Sequence, residues 1–326
     1  MKNNEPLILA VVVFFSLVTY YLVEPYAHHV MHKHVESEGF AYKDIPELTG
    51  KTGDAVNGKA LVNGAAACTG CHSIEVDGVS PSMEPQMAAA SYGVNPPDLS
   101  NAGVVYDEKF LSDLIKNPAH ALKVEHKFDP AKGKMHPMVA FYGAGGDIDQ
   151  EVADMVAYLK SIAVPLEELT PAMAFENACG RCHAMKYENW TQIGTKPTFK
   201  HEKDSLNFDI KVLEYEDSIK AYMGKLPPDL SMYYRSRNEH FLSTFIENPQ
   251  AQLAGTAMPR VGVTAEVAHK VIEHMADAGD TKRHERESIA KNVMIYIVIF
   301  AIFALLWKKQ DRKSTRLELQ SPYDLV

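Results

Sequence analysis

The chain has 326 residues, a formal charge of −9 and a pI near 5.9, which excludes a general nucleic-acid binder. Its length suggests two or three domains, and 46% hydrophobic residues are enough to pack them. It has four cysteines, and two short motifs use all of them, leaving none for a disulfide framework.

The chain opens on an uncharged apolar run, residues 6–23, at the short end of the range for a membrane-spanning helix. A cleaved signal peptide would need small residues at its cleavage site. The run leads instead into Val23, Glu24, Pro25 and Tyr26, so a retained anchor over residues 1–26 is expected. Residues 27–50 read as a linker containing His28, His29, His32 and His34. His28 and His32 are one helical turn apart, as a metal site would want them. Such a cluster equally suits a position among lipid headgroups, and that is the preferred reading.

Residues 51–166 read as the first of two similar domains. A short helix over residues 58–67 delivers Cys68, and Cys68, Cys71 and His72 form a C-x-x-C-H motif. This pattern is a site of c-type haem attachment. Two thiols one turn apart can each bond one vinyl group of a single haem, and the histidine that follows can ligate the iron on one face. A redox dithiol or a four-cysteine zinc site would use the same cysteines but would leave the trailing histidine as coincidence. Beyond His72 a loop runs to Pro96, Pro97, Asp98, Leu99 and Ser100. A helix over residues 107–116 stops at Asn117 and Pro118. A loop with Met135 and Met138 follows. The closing helix spans residues 149–163, with Val152, Met155, Val156, Leu159 and Ile162 on one face.

Residues 167–284 repeat this plan. A helix over residues 170–177, with Thr170 as N-cap and Pro171 at its first turn, delivers Cys179, Cys182 and His183, the second C-x-x-C-H. Pro-Pro-Asp-Leu-Ser recurs at residues 227–231, 131 residues after its first copy, and residues 241–249 match residues 110–118 at the same offset. The agreement marks an internal duplication. The copies differ between motif and repeat: His72 to Pro96 is 24 residues, His183 to Pro227 is 44. The extra residues are charged and aromatic. A closing helix over residues 265–278 buries Val267, Val271 and Met275. The expected fold class is all-α, with each cofactor completing the core around it.

His72 and His183 fill one axial position each. A methionine opposite raises the reduction potential, because a neutral thioether favours the reduced iron. Met258, in an Ala-Met-Pro-Arg stretch before the last helix, is the candidate in the second copy. In the first copy Met138 is preferred, since it needs the smaller insertion relative to Met258: it lies 13 residues before Glu151, against 16 for Met135 and 8 between Met258 and Glu266. Met135 and His136 stay open as alternatives. No nucleophile triad, phosphate loop or H-E-x-x-H accompanies the motifs. With both axial positions filled, the expected chemistry is outer-sphere electron transfer.

Residues 293–307 form a second apolar run that reaches spanning length with residues 289–292. An anchor over residues 285–310 and a tail over 311–326 are expected. Lys308, Lys309, Arg312, Lys313 and Arg316 follow the run, and positive flanks stay cytoplasmic. Both termini are then cytoplasmic, the intervening part lies outside, and membrane lipid is a further partner. That part, residues 24–288, holds 26 Lys+Arg and 38 Asp+Glu, a formal charge of −12. It suits steering of a basic partner.

Cys179, Cys182 and His183, then residues 227–231, Arg237, Met258 and a C-terminal span with a basic tail together resemble cytochrome c1. That family supplies the haem c subunit of the quinol:cytochrome c oxidoreductase (bc1) complex. The second haem domain and the extra anchor resemble the dihaem type found in some bacteria. The resemblance implies two tandem class I cytochrome c-like domains between two transmembrane helices, with two covalently bound haem c groups and their iron. It implies a bacterial inner membrane with the haem domains in the periplasm. The implied partners are cytochrome b and Rieske iron-sulfur subunits, and a soluble cytochrome c or terminal oxidase. It further implies that Arg237 binds a haem propionate, that Met258 is the sixth ligand, and that Pro228, with Pro97 as its repeat partner, packs on the proximal side. The first copy has no arginine matching Arg237. The dihaem subunits of cbb3-type oxidases share the tandem domains and N-terminal anchor, but the C-terminal span and the Pro-Pro-Asp-Leu-Ser copies argue against them. A dihaem peroxidase would need an open iron position. A membrane-tethered carrier belonging to no complex is a further alternative.

Overall fold

The computed structural model describes residues 4–34, 42–48, 50–128, 131 and 133–320, in two units, residues 1–279 and 280–326. The first unit begins with α1 (Glu5–Val18), which passes through a π-helical turn (Thr19–Val23) into α2 (Glu24–His34). Pro25 explains the turn: it has no N–H, and its ring crowds the carbonyl four residues earlier. The widened turn carries the helix past it, with the Glu24 N–H reaching the Thr19 carbonyl. The span Glu5–His29 is long and apolar enough to cross a membrane. The helix runs eight residues beyond the expected anchor. His28 bonds Glu24 one turn back, with Nε2 3.4 Å from Oε1. The side chains of His32 and His34 lie outside the described residues.

The first copy is built from α3 (Ala55–Asn63), α4 (Pro85–Tyr92), α5 (Ala102–Val105), α6 (Glu108–Lys116), α7 (Pro118–Ala121) and α8 (Ile148–Ile162). Side-chain caps set where the main helices start. Asp54, Asp107 and Asp147 each accept hydrogen bonds from the N–H groups of the first turn, which otherwise lack partners. Val152, Met155, Val156 and Leu159 are buried along α8, and Ile162 is half-buried at its end. α3 crosses α8 at close range because Gly58 has no side chain. A Cβ there would lie 1.9 Å from the Asp154 carbonyl oxygen.

The second copy uses α9 (Pro171–Ala178), α11 (Tyr233–Ser236), α12 (Glu239–Glu247), α13 (Pro249–Gln252) and α14 (Ala265–Gly279). Thr170 caps α9. Ala174, Phe175 and Ala178 belong to the same buried core as Val267, Val271 and Met275 of α14. Asn117 and Asn248, 131 residues apart, end α6 and α12 in the same conformation, at φ −147°, ψ 78° and φ −142°, ψ 76°. The extra residues of this copy are not a loop. They form a small hairpin, β1 (Trp190–Thr191) with β2 (Gly194–Thr195), and a 22-residue helix, α10 (Glu202–Met223). The hairpin is a minor departure from an all-α fold, and Gly194 at φ +108° opens its second strand directly after the turn.

The copies share one hydrophobic core. A two-residue antiparallel bridge joins Tyr106 to Val263, flanked by bonds from the Asp107 N–H to the Gly262 carbonyl (2.8 Å) and from the Thr264 N–H to the Val105 carbonyl (3.2 Å). Gly262 lies against the Phe110 ring, where a Cβ would come within 2.0 Å of a ring carbon. α10 crosses over to α4, and Tyr215, Ile219 and Met223 bury one narrow stripe with Ala89.

The second unit is α15 (Arg283–Gln320), preceded by Asp280, whose carboxylate pairs with the Arg286 guanidinium at 2.9 Å. Residues Arg283–Arg312 are long and apolar enough to cross a membrane. The helix continues unbroken into the basic tail.

Gly58→Ala is expected to destabilise the first unit by about 1–3 kcal/mol, since the Asp154 backbone cannot move aside as a side chain would. Urea unfolding followed by circular dichroism checks this. An unchanged midpoint would show that α3 and α8 separate without cost.

Candidate haem sites

Both C-x-x-C-H motifs fold into the same tight turn. In the first, Ala67 adopts a left-handed conformation at φ 49°, and the Cys71 and His72 N–H groups return to the Cys68 carbonyl at 3.2 and 2.9 Å. In the second, α9 ends at Cys179, and the Cys182 and His183 N–H groups return to the Cys179 carbonyl at 3.0 and 2.9 Å. Each turn sets two thiols three residues apart and places the histidine next in line.

Each histidine is fixed by a proline carbonyl. His72 Nδ1 lies 2.8 Å from the Pro97 oxygen and His183 Nδ1 lies 2.8 Å from the Pro228 oxygen. A carbonyl only accepts, so Nδ1 carries the proton and donates it, and Nε2 keeps its lone pair for a metal. Burial pushes both rings below the usual histidine range, against the carbonyl bond, and at His72 the Arg181 charge adds to the lowering. A neutral imidazole with a free Nε2 is what iron ligation requires, so the residues present fit a haem.

The carbonyls are themselves braced in one way twice over. The Asp98 carboxylate accepts from the Glu75 and Ser100 N–H groups, both at 3.0 Å, and Asp229 accepts from Lys186 (2.9 Å) and Ser231 (3.0 Å). Ser100 and Ser231 Oγ accept from Val76 and Tyr187 N–H at 3.1 Å. The Leu99 and Leu230 N–H groups donate to the Ser73 and Ala184 carbonyls at 2.9 Å. The Pro-Pro-Asp-Leu-Ser segment is thus a bracket that ties the proline carbonyl to the turn after the motif.

Cys68, Cys179 and Cys182 do not suit the competing dithiol chemistry. Burial pushes Cys179 up to about 12 and raises Cys182 and Cys68 as well, the reverse of the lowered value an attacking dithiol needs. Among the described residues no three His, Cys, Asp or Glu side chains gather to hold a metal ion, so the four cysteines form no zinc cluster.

Of the first-copy methionines, Met138 is half-buried and Met135 leaves 61% of its surface exposed. His136 has partners of its own: its Nδ1 lies 3.2 Å from both the nitrogen and the carbonyl oxygen of Met138, and its Nε2 lies 2.9 Å from the Tyr222 hydroxyl. Met258 is half-buried, its carbonyl accepting from Gln250 Nε2 at 2.8 Å. Pro97 is half-buried and Pro228 exposed. Arg237 is exposed beside the start of α12, with its guanidinium 5.7 Å over the Phe241 ring and bonded to the Ser236 carbonyl at 3.1 Å.

Three further groups surround the sites and carry no motif. Tyr222 closes over the first loop through His136, and its ring lies 5.4 Å from that of Phe128. Tyr215 Oη donates to the Arg181 carbonyl at 2.8 Å and accepts from the Asn95 N–H at 3.1 Å, linking the second motif to the segment before Pro97. Arg260, two residues past Met258, is fully buried. Only its place in the Ala-Met-Pro-Arg stretch offered a signal.

The family model for cytochrome c matches residues 55–163, the first copy. A cytochrome c from Tetrahymena pyriformis is 27% identical over 121 residues, covering 36% of this chain and 96% of that protein. Among solved structures, a chain of a hyperthermophilic respiratory Complex III is 25% identical over 48% of this chain and 78% of its own, at a TM-score of 0.34, too low to bear on the fold. Residues 55–163 carry a cytochrome c domain, and with it covalently bound haem c and haem-based electron transfer.

Proposed function

We propose that the chain is a dihaem membrane cytochrome of the cytochrome c1 kind. In this reading it is the subunit of a quinol:cytochrome c oxidoreductase that takes electrons from a Rieske iron-sulfur protein and delivers them to a soluble cytochrome c or a terminal oxidase. The observation that carries the reading is the repetition of one hydrogen-bonded frame, from the C-x-x-C-H turn through the proline carbonyl to the Asp and Ser bracket, around both His72 and His183. A frame that presents a neutral imidazole in the cytochrome c domain does the same work where it recurs.

Haem c supplies one-electron exchange when bound. The residues that would hold it are Cys68, Cys71, His72 and Met138 in one domain and Cys179, Cys182, His183 and Met258 in the other. The Pro97 and Pro228 carbonyls orient the ligating rings and hold the proton on Nδ1, while burial keeps the rings neutral. Arg237 is the candidate propionate partner by resemblance alone. Residues 51–166 and 167–284 are the two haem domains, joined by residues 27–50 to the first anchor. The two long apolar helices support anchors over residues 1–26 and 285–310. Lys308, Lys309 and Arg312 at the end of the second favour a cytoplasmic tail over residues 311–326, with both haem domains periplasmic.

Purification in mild detergent tests the assignment. Co-purification with cytochrome b and a Rieske protein is the expected result. Recovery with a copper-haem oxidase alone would instead favour an oxidase subunit, and recovery alone a tethered carrier.

The first-site ligand is tested by two substitutions. Met138→Leu is expected to remove one site's share of the weak far-red sulfur-to-iron absorption, while Met135→Leu leaves it. The reverse pattern would move the ligand to Met135.

A further inference from the structure

The loop that carries Met258 is held from both sides of the duplication. Up to Met258 its backbone bonds to its own copy: the Met258 N–H donates to Thr256 Oγ1 at 3.3 Å and its carbonyl accepts from Gln250 Nε2. From Arg260 onward the partners lie in the other copy and in the linker that precedes it. The Arg260 N–H donates to the Leu122 carbonyl at 3.0 Å. Its side chain has 0% exposure, and Nε donates to the Ala121 carbonyl at 2.7 Å. One guanidinium nitrogen donates to Asp44 Oδ1 at 2.7 Å and the other to the His120 carbonyl at 3.3 Å. Asp44 sits below the usual carboxylate range: burial raises it, but the bond and charge of Arg260 outweigh that. The loop then continues along the first copy, with Val263 paired to Tyr106 and its carbonyl accepting from Tyr42 Oη at 3.0 Å.

Pro259 fixes one backbone torsion between Met258 and Arg260, so the methionine inherits the placement of the arginine. A buried guanidinium that cannot lose its proton has one low-energy seat, where its donors are matched. Asp44, His120 and Ala121 contribute to that seat and Leu122 holds the backbone beside it, and these four lie outside the second copy. The first copy has Ala140 at the corresponding place, two residues past Met138, and so no equivalent anchor.

We infer that Arg260 is a positioning residue for the sixth ligand of the second haem site, so that the first domain sets how firmly Met258 meets that iron. The inference rests on Met258 being the ligand, as proposed above. It makes the two domains one redox unit: loosening the first domain around Arg260 changes the second site before it changes its own.

The test uses the full-length, detergent-solubilised holoprotein, with redox titration and far-red absorption as readouts. Met258→Leu first marks which potential and which share of the far-red band belong to the second site. Arg260→Gln is expected to lower that same potential and to weaken that same share, with the other potential unmoved, and Arg260→Lys, which keeps the charge opposite Asp44, to recover part of both. Unchanged spectra and potentials in Arg260→Gln, or equal shifts at both sites, would overturn the inference while leaving Met258 as ligand. If Met258→Leu itself leaves the far-red band whole, the ligand reading fails and the inference falls with it. Should Arg260→Gln not accumulate, Asp44→Asn decides by the same criterion: a fall confined to the second-site potential supports the inference, and unchanged potentials overturn it.

Discussion

A histidine ring held by a backbone carbonyl is the constraint on which the rest of the molecule depends. His72 and His183 each donate Nδ1–H to a proline carbonyl at 2.8 Å. That one bond settles the tautomer and the ring orientation together and leaves Nε2 with its lone pair for a metal. A lone carbonyl in a loop would wander, so the loop must be stiff. Paired prolines limit its torsions, the Asp carboxylate gathers two N–H groups, and the Ser hydroxyl gathers a third. The helices serve this arrangement. α3 and α8 cross at Gly58 closely enough to close the domain behind the motif, and α9 and α14 do the same in the second copy.

The two copies are bound to each other by their most sensitive parts. The Met258 loop is tied into the first copy by Arg260 and the Tyr106–Val263 bridge. In return, α10 of the second copy reaches the Met138 loop: Tyr222 meets His136, and the Met223 carbonyl accepts from Lys127 Nζ at 2.6 Å. Bonds made to loops rather than to helix faces fix positions that loops alone would leave soft. The exchange of contacts explains why the duplication has one core rather than two. It also gives the charged insertion a use, because α10 is the element that makes the return contact.

What could be read in the sequence was local. Cap residues and stop signals placed α6, α8, α9 and α14 to within a residue or two, because Asp, Thr, Asn and Pro act on the N–H groups next to them. The repeat at a constant offset of 131 residues marks the Pro-Pro-Asp-Leu-Ser segment, but the hydrogen bonds that make it a bracket reach residues about 23 to 44 positions away and leave no pattern in it. α10 was missed as a helix because its buried stripe is only Tyr215, Ile219 and Met223 in 22 residues, too narrow to stand out from the charges around it. The β1–β2 hairpin was missed because two-residue strands leave no alternation to read. Arg260 was out of reach for another reason. Its partners lie about 140 residues or more away in sequence, and no periodicity encodes a contact at that separation.

The central claim is that one frame, built twice, holds a haem in each copy. The most direct measurement is the mass of the purified polypeptide after denaturation, when only covalently attached groups remain. The account predicts the mass of the chain plus two haem c groups, falling by one when Cys179 and Cys182 are both replaced by alanine. A chain carrying a single haem, lost with Cys68 and Cys71 but unaffected by Cys179 and Cys182, would contradict it.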